Sequence, residues 1–325
     1  MQLASSRQPK EIYKVVDRRI KNTKSIEDLE DIVVDFRNIH ESKSKFKQLF
    51  TELKINDKKK TNEAVNNTIS RGLFPQIDSS TKAYIIDNDS NGRNGLIILP
   101  ENLNTMQQIY WSYHSLTELC EPETSKSNLS STNQSTKEDK FEKNLFKKFV
   151  ENNMEDSMII DKKMLDLKWT THGYHFDWDN RLYQEHNKNE FPTSLHELSS
   201  HIMKSTFVGR GSGNDDVVFF PEACIVNFYS NKGRMGGHKD DVEPDQTTPV
   251  VSISLCNDAI FLIGGVNKYV EPIPIRLRSG DVMIMSGSSR RAVHGVSTIL
   301  QRTIAPNLLN GLINYSLSHI INYNK

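Results

Sequence analysis

His238-Lys239-Asp240 is the stretch of this 325-residue chain whose residue types and spacing most directly suggest chemistry. It follows the glycine-rich turn Gly233–Gly237. Alternate residues of an extended strand point to one side, so an imidazole and a carboxylate two apart can reach the same metal ion. A third ligand has to come from elsewhere, and His294, inside the apolar run Ala292–Val296, is the best placed. Two imidazoles and one carboxylate on one side of a metal leave the opposite positions open, the arrangement of non-haem Fe(II) oxygenases. Zinc accepts the same residue types, so the ligands alone do not select iron. His172, His175 and His201 are read as surface or packing residues.

The elements that must position these residues are short. Val217–Phe220, Cys224–Tyr229, Val250–Leu255, Ala259–Ile263, Pro274–Leu277, Val282–Met285 and Ala292–Val296 are β-prone runs punctuated by Gly, Asp, Asn and Pro. Many short strands at this spacing indicate a sandwich or closed barrel rather than alternating βαβ units. Upstream, Gly95–Pro100 reads as a strand and Met106–Leu119 as an amphipathic helix. Ile12, Val15, Val16 and Arg19 fit one helical face, and Leu29, Ile32, Val33 and Phe36 fit a second. Residues 1–90 are therefore expected to form a basic, mainly helical extension, and 91–325 the main domain, with its metal-binding core in 217–325. The Ser/Thr-rich stretch 121–140 has almost no large apolar residue and is expected to be a disordered insertion. The fold class expected is α+β.

Composition narrows the function classes. Lys plus Arg and Asp plus Glu number 41 each, pI ≈ 7.2, so the whole chain carries no polyanion-binding charge. A local surface remains, because residues 1–60 hold fifteen basic against ten acidic side chains, with Arg18-Arg19 and Lys58–Lys60 among them. No run approaches the ~18–20 apolar residues of a spanning helix, and Met1–Lys10 lacks the apolar core of a secretory signal. No membrane partner is expected, and the oligomeric state is silent. Three scattered cysteines, Cys120, Cys224 and Cys256, suit a reducing compartment. The expected location is cytoplasmic or nuclear, with a mitochondrial one left open.

Several ordered motifs resemble one family. They are Pro221-Glu-Ala-Cys-Ile-Val-Asn-Phe-Tyr229, Gly237-His-Lys-Asp240, Pro249–Leu255, Ala259–Gly265, Ser279–Gly287 and His294-Gly-Val296, preceded by Leu167–Trp178 and Phe191-Pro192. Together they resemble the AlkB family, closest to the branch typified by AlkB homolog 1, from about Phe46 to Val296 with the Ser/Thr-rich insertion outside. The resemblance implies a double-stranded β-helix, or jelly roll, holding Fe(II) and using 2-oxoglutarate and O2. It implies His238, Asp240 and His294 as iron ligands, and Asn227 and Tyr229 as hydrogen-bonding partners of 2-oxoglutarate. It implies methylated nucleic-acid bases as substrates: N1-methyladenosine in tRNA first, then modified cytosine in tRNA and N6-methyladenine in DNA. Such a base must leave its stack and enter a pocket. In the aromatic stretch Trp169–Trp178, Tyr174 and Trp178 are the preferred stacking residues. The basic N-terminal region would hold phosphates without reading sequence.

One departure stands out. The family ends on a strand with Arg-x-Asn-x-Thr-x-Arg, whose first arginine pairs with the distal carboxylate of 2-oxoglutarate. Here Leu312-Ile-Asn-Tyr-Ser-Leu-Ser318 stands at comparable distance, with Leu312 and Ser318 in place of the arginines. Loss of such a bidentate pair costs on the order of several kcal/mol. Arg302, Arg290 and Arg291 are the cations available to replace it. Alternatively the last strand takes another register, or the protein is a metal-binding, nucleic-acid-interacting relative with little turnover. A dioxygenase acting on protein, such as histone tails, is a third reading.

Overall fold

Leu96–Leu99, Ala259–Ile263, Ile273–Leu277 and Val282–Met285 are apolar at nearly every position. In the computed structural model of the chain each is a strand buried along almost its whole length. A strand covered on one face alternates apolar and polar residues; a continuous apolar run needs a second covering layer. The structure describes residues 11–23, 25–55, 72–129, 166–207 and 219–323. The elements are α1 (Ile12–Asn22), β1 (Val34–Asp35), β2 (Thr51–Glu52), β3 (Tyr84–Ile85), β4 (Leu96–Leu99), α2 (Thr105–Leu116), β5 (Lys126–Ser127), β6 (Trp169–Asp177) and β7 (Leu182–Lys188). There follow α3 (Thr193–Phe207), β8 (Ala223–Asn227), β9 (Met235–His238), β10 (Val250–Ile253), β11 (Ala259–Ile263), β12 (Ile273–Leu277), β13 (Val282–Met285), β14 (His294–Ile299) and α4 (Pro306–Tyr323).

Two five-stranded sheets, in the orders β1-β12-β11-β14-β9 and β10-β13-β4-β3-β2, form the centre. All their pairings are antiparallel except β1 with β12. Side-chain alternation sorts each strand between two cores. From β11, Phe261 and Ile263 join Ile273, Ile275, Leu96, Ile98, Met283 and Met285 between the sheets. Ile260 and Leu262 point the other way, onto Tyr13 and Ile20 of α1. On the far side, Ile97, Leu99, Val282 and Ile284 meet Trp111 of α2 and Leu198, Ile202 and Met203 of α3. The layers thus run helix, sheet, sheet, helices, which fits a jelly-roll core. A third sheet places β6 between β5 and β7, with β8 also on β6. Helix α2 starts at a capping box, Asn104 with Gln107, an arrangement worth ~1 kcal/mol.

Three expectations need correction. The N-terminal part is not mainly helical among the described residues: α1 forms as expected, but Leu29–Phe36 makes a 3-10 turn, then β1 and a second 3-10 turn. The reason is packing. Leu29, Ile32 and Val33 lie in the core under α1, whereas Val34 and Phe36 lie between the sheets, a switch of face that no helical stripe can make. β2 and β3 also add to a core sheet. Second, Leu312–Ser318 is not a strand but the middle of α4. Pro306 opens that helix, where its missing N–H costs nothing. Leu308 is buried, Tyr113 stacks edge-on against Tyr315 at 5.2 Å, and Gly311 lets Ile109 of α2 approach. Third, no strand forms at Phe219–Phe220, and residues 217–218 lie outside the described residues. The expected insertion 121–140 lies outside them from residue 130 onward; its first part turns into β5. No helix among the described residues is long and apolar enough to cross a membrane.

His172 on β6 is fully buried, and its Nε2 donates to Leu119 O at 3.1 Å. Burial pushes its pKa down to about 4. The folded value lies below the unfolded one near 6.5, so the unfolded chain binds the extra proton between them. The resulting stability, roughly 3 kcal/mol, is complete above pH 6.5 and lost as pH falls toward 4. Urea midpoints are expected to drop over that window, and His172→Gln to remove much of the drop. Equal pH slopes in both proteins would contradict this.

Candidate metal centre

β9 and β14 are antiparallel neighbours, and His238 sits directly opposite His294 in their register. Their ring centroids are 4.4 Å apart. Asp240, two residues past His238, turns its carboxylate between them: Oδ1 is 3.5 Å from His238 Nε2 and Oδ2 is 3.5 Å from His294 Nε2. The three candidate ligand atoms lie within 4.8 Å of one another, the one such His/Cys/Asp/Glu group among the described residues. Each imidazole is oriented through its other nitrogen. His238 Nδ1 donates to Gly236 O at 2.9 Å and His294 Nδ1 to Ala292 O at 3.0 Å. A carbonyl only accepts, so Nδ1 carries a proton, and Nε2, the atom facing Asp240, is the one each ring offers to a metal. Burial holds His294 below the ordinary histidine range, the neighbouring Asp240 opposing this, and neutral imidazole is the ligating form. Two imidazoles and a carboxylate with fixed orientation suit a divalent metal.

Exposure is graded across the group. The His294 side chain is 8% exposed, Asp240 26% and His238 37%. The His294 side is closed by Phe261, whose ring stacks at 5.9 Å, and access lies past His238. The strands that carry the pair approach closely because glycines line their contact. A Cβ at Gly295 would lie 2.6 Å from Met235 O, and one at Gly237 would lie 2.5 Å from the Tyr13 ring. Tyr13, buried on α1, therefore presses on the outer side of β9 next to His238.

The remaining expected residues are placed as follows. Asn227 ends β8 opposite Trp169 of β6 and is exposed; Tyr229 lies two residues on, its pKa pushed up by burial to about 12. Tyr174 donates from its hydroxyl to Glu185 at 2.6 Å, with Lys188 Nζ 4.8 Å over its ring. Trp178, 48% exposed, packs at 4.8 Å on Phe176 and 5.3 Å on Trp169. Of the three arginines considered above, Arg291 and Arg302 are exposed. Arg302 lies beyond the far end of β14, and the five residue steps from His294 to Ile299 alone span roughly 17 Å. Arg290 is buried, with its guanidinium hydrogen-bonded to backbone carbonyls.

Tyr183 is a site residue not singled out from the sequence. It is the hairpin partner of Phe176, with ring centroids 5.3 Å apart. Burial raises its hydroxyl pKa, and the charges of Glu243 and Asp240 add to the shift. Its signal in the sequence is faint. It requires the hairpin register across Asp177–Arg181, where Arg181 takes a positive φ of 55°.

A family model described as the 2OG-Fe(II) oxygenase superfamily matches residues 113–315. The chain is 30% identical over 313 residues to the DNA N(6)-methyladenine demethylase ALKBH1A of Arabidopsis thaliana, covering 87% of each chain. It is 36% identical over 154 residues to the tRNA demethylase abh1 of Schizosaccharomyces pombe, covering 47% of this chain and 48% of that one. It is 37% identical over 134 residues to the human nucleic acid dioxygenase ALKBH1, covering 41% of this chain and 32% of that one. The match spans most of the plant relative but about half or less of the other two.

Proposed function

The chain belongs to the 2OG-Fe(II) oxygenase superfamily, in its AlkB homolog 1 branch, and from that premise we propose that it oxidatively demethylates nucleic-acid bases, N1-methyladenosine in tRNA first. It is an Fe(II)- and 2-oxoglutarate-dependent dioxygenase. Bound Fe(II) with 2-oxoglutarate and O2 supplies the oxidation of a C–H bond: 2-oxoglutarate goes to succinate and CO2, and an N-methyl group becomes an N-hydroxymethyl group that leaves as formaldehyde. The observation that carries the site assignment is the convergence of His238, Asp240 and His294, each imidazole presenting Nε2.

In this assignment the three side chains hold the metal from one side, and Asn227 and Tyr229 hydrogen-bond the cosubstrate. Tyr174 and Trp178 are the stacking residues first expected, and Tyr183, on the same hairpin, joins them against the extruded base. Trp178 and Phe176 back Tyr183 from the hairpin. Stacking on one aromatic is worth ~1–3 kcal/mol per base. The Arabidopsis relative's name refers to methylated DNA and the fission-yeast relative's to tRNA, so both polymers belong in the test.

The experiment incubates the full chain with Fe(II), 2-oxoglutarate and O2 on tRNA or DNA oligonucleotides carrying N1-methyladenosine or N6-methyladenine, and reads succinate and formaldehyde together. Equal yields of both on the tRNA substrate are expected. Tyr183→Ala should raise KM for it by about 5- to 150-fold with little effect on succinate made without substrate. Formaldehyde from the DNA substrate alone would move the proposal to DNA. Turnover of methyl-lysine peptides in preference to either would overturn it.

A further inference from the structure

We propose that Arg290 is the positioning residue that locks Asp240 into the metal group, by clamping the irregular segment that carries it. The proposal rests on His238, Asp240 and His294 being the metal ligands. Asp240 lies just past the end of β9, and residues 239–249 form neither helix nor strand. Apart from the Asp240 carboxylate, which faces the two imidazoles, the segment's own side-chain bonds are local: Asp245 accepts from Thr247 and Thr248, and Gln246 donates to Glu243 O. Local bonds of this kind shape a loop without fixing it to the sheets.

Arg290 supplies that attachment. It stands on the 3-10 turn Gly287–Arg291, three residues after Gly287 and four before His294. Its side chain is 4% exposed. Nη1 donates to Asp240 O at 2.9 Å and Nε to Thr248 O at 2.9 Å, and Nη2 lies 3.5 Å from Glu243 Oε2. One planar fork therefore holds the start, middle and end of the segment. The rigid guanidinium does this in a way an ammonium cannot, because its donors diverge in fixed directions. It also ties the backbone of one ligand, Asp240, to the turn that leads into another, His294. With Nε and Nη1 on carbonyls and Nη2 beside Glu243, Arg290 is committed here rather than to the distal carboxylate of 2-oxoglutarate.

The test is Mn(II) binding to the full chain, by titration calorimetry and by the electron paramagnetic resonance of free and bound Mn(II), with thermal melting of the metal-free protein alongside. Arg290→Gln is expected to weaken Mn(II) binding about 10- to 100-fold, the range typical of residues that orient metal ligands, and to alter the bound-Mn(II) spectrum. Arg290→Lys keeps the charge but loses the fork, and is expected to recover only part of the affinity. A purely structural role would lower the melting temperature and leave the affinity and spectrum of the folded protein unchanged; that result overturns the proposal. If Arg290→Gln fails to fold, Arg290→Lys decides: wild-type affinity in that variant also overturns it. Asp240→Ala separates the two levels. Retained Mn(II) affinity in Asp240→Ala would sink the ligand assignment itself, whereas its loss there and survival in Arg290→Gln would sink only the clamp.

Discussion

Asp240→Ala is expected to give a folded protein that binds Mn(II) well over a hundredfold more weakly than the wild type and makes no succinate. The carboxylate is one of three candidate ligands, and deleting a ligand exceeds the ~10- to 100-fold loss caused by disturbing a residue that merely orients one. The fold should tolerate the change. The Asp240 side chain is 26% exposed, stands in an irregular segment, and interacts chiefly with the two imidazoles. His294→Ala is a poorer probe, because that ring is buried against Phe261 and its removal leaves a cavity as well as a missing ligand. The cleanest readout is linkage. Mn(II) at a hundred times its Kd stabilises a folded protein by about 2.7 kcal/mol, so the wild type should melt several degrees higher with metal than without. In Asp240→Ala that increment should vanish while the metal-free melting temperature stays put. A variant that keeps the increment would show that the ion binds elsewhere.

Legibility in the sequence followed the range of the interactions involved. Ala259–Ile263 and Val282–Met285 were readable because a strand buried on both faces must be apolar throughout, and local composition records that. His238 and Asp240 were readable because a two-residue spacing on extended chain is itself a geometric statement. Leu29–Phe36 misled because its helical spacing is real but its side chains serve two cores. Leu312–Ser318 misled because setting it against a strand motif obscured the spacing of Leu308, Gly311 and Tyr315, which packs α4 on α2. Arg290 was legible as a cation but not in the contacts it makes, and Tyr183 carried only a faint local signal. One reaches back fifty residues to Asp240, and the other comes opposite Phe176 only after a hairpin has closed. Neither closeness exists until the sheets have formed.

Gly295→Ala is the second large expected effect, and it tests the packing that sets the distance between the two histidines. Gly295 follows His294 where the register of β14 against β9 slips, leaving it facing the β9 backbone. A Cβ there would meet Met235 O at 2.6 Å and Gly236 O at 2.9 Å. Backbone oxygens cannot swing aside like a flexible side chain, so β9 has to retreat by roughly half an ångström. On its other side β9 is backed by Tyr13, itself 2% exposed, which leaves little room to retreat into. Overpacking of this kind costs ~1–3 kcal/mol, and because the displaced strand carries His238, much of that cost falls on metal binding. Mn(II) affinity is expected to drop about 10- to 100-fold, with a melting temperature a few degrees lower. The neighbouring glycines supply the controls. At Gly237 the clash is with the Tyr13 side chain rather than with backbone, so Gly237→Ala should fall between. At Gly236 a Cβ meets nothing within 4 Å, so Gly236→Ala should bind Mn(II) like the wild type although it sits two residues from His238. The expected order of damage is therefore Gly295, Gly237, Gly236. An alanine at Gly236 as harmful as one at Gly295 would mean that backbone freedom in β9, rather than the close approach of β14, sets the ligand geometry.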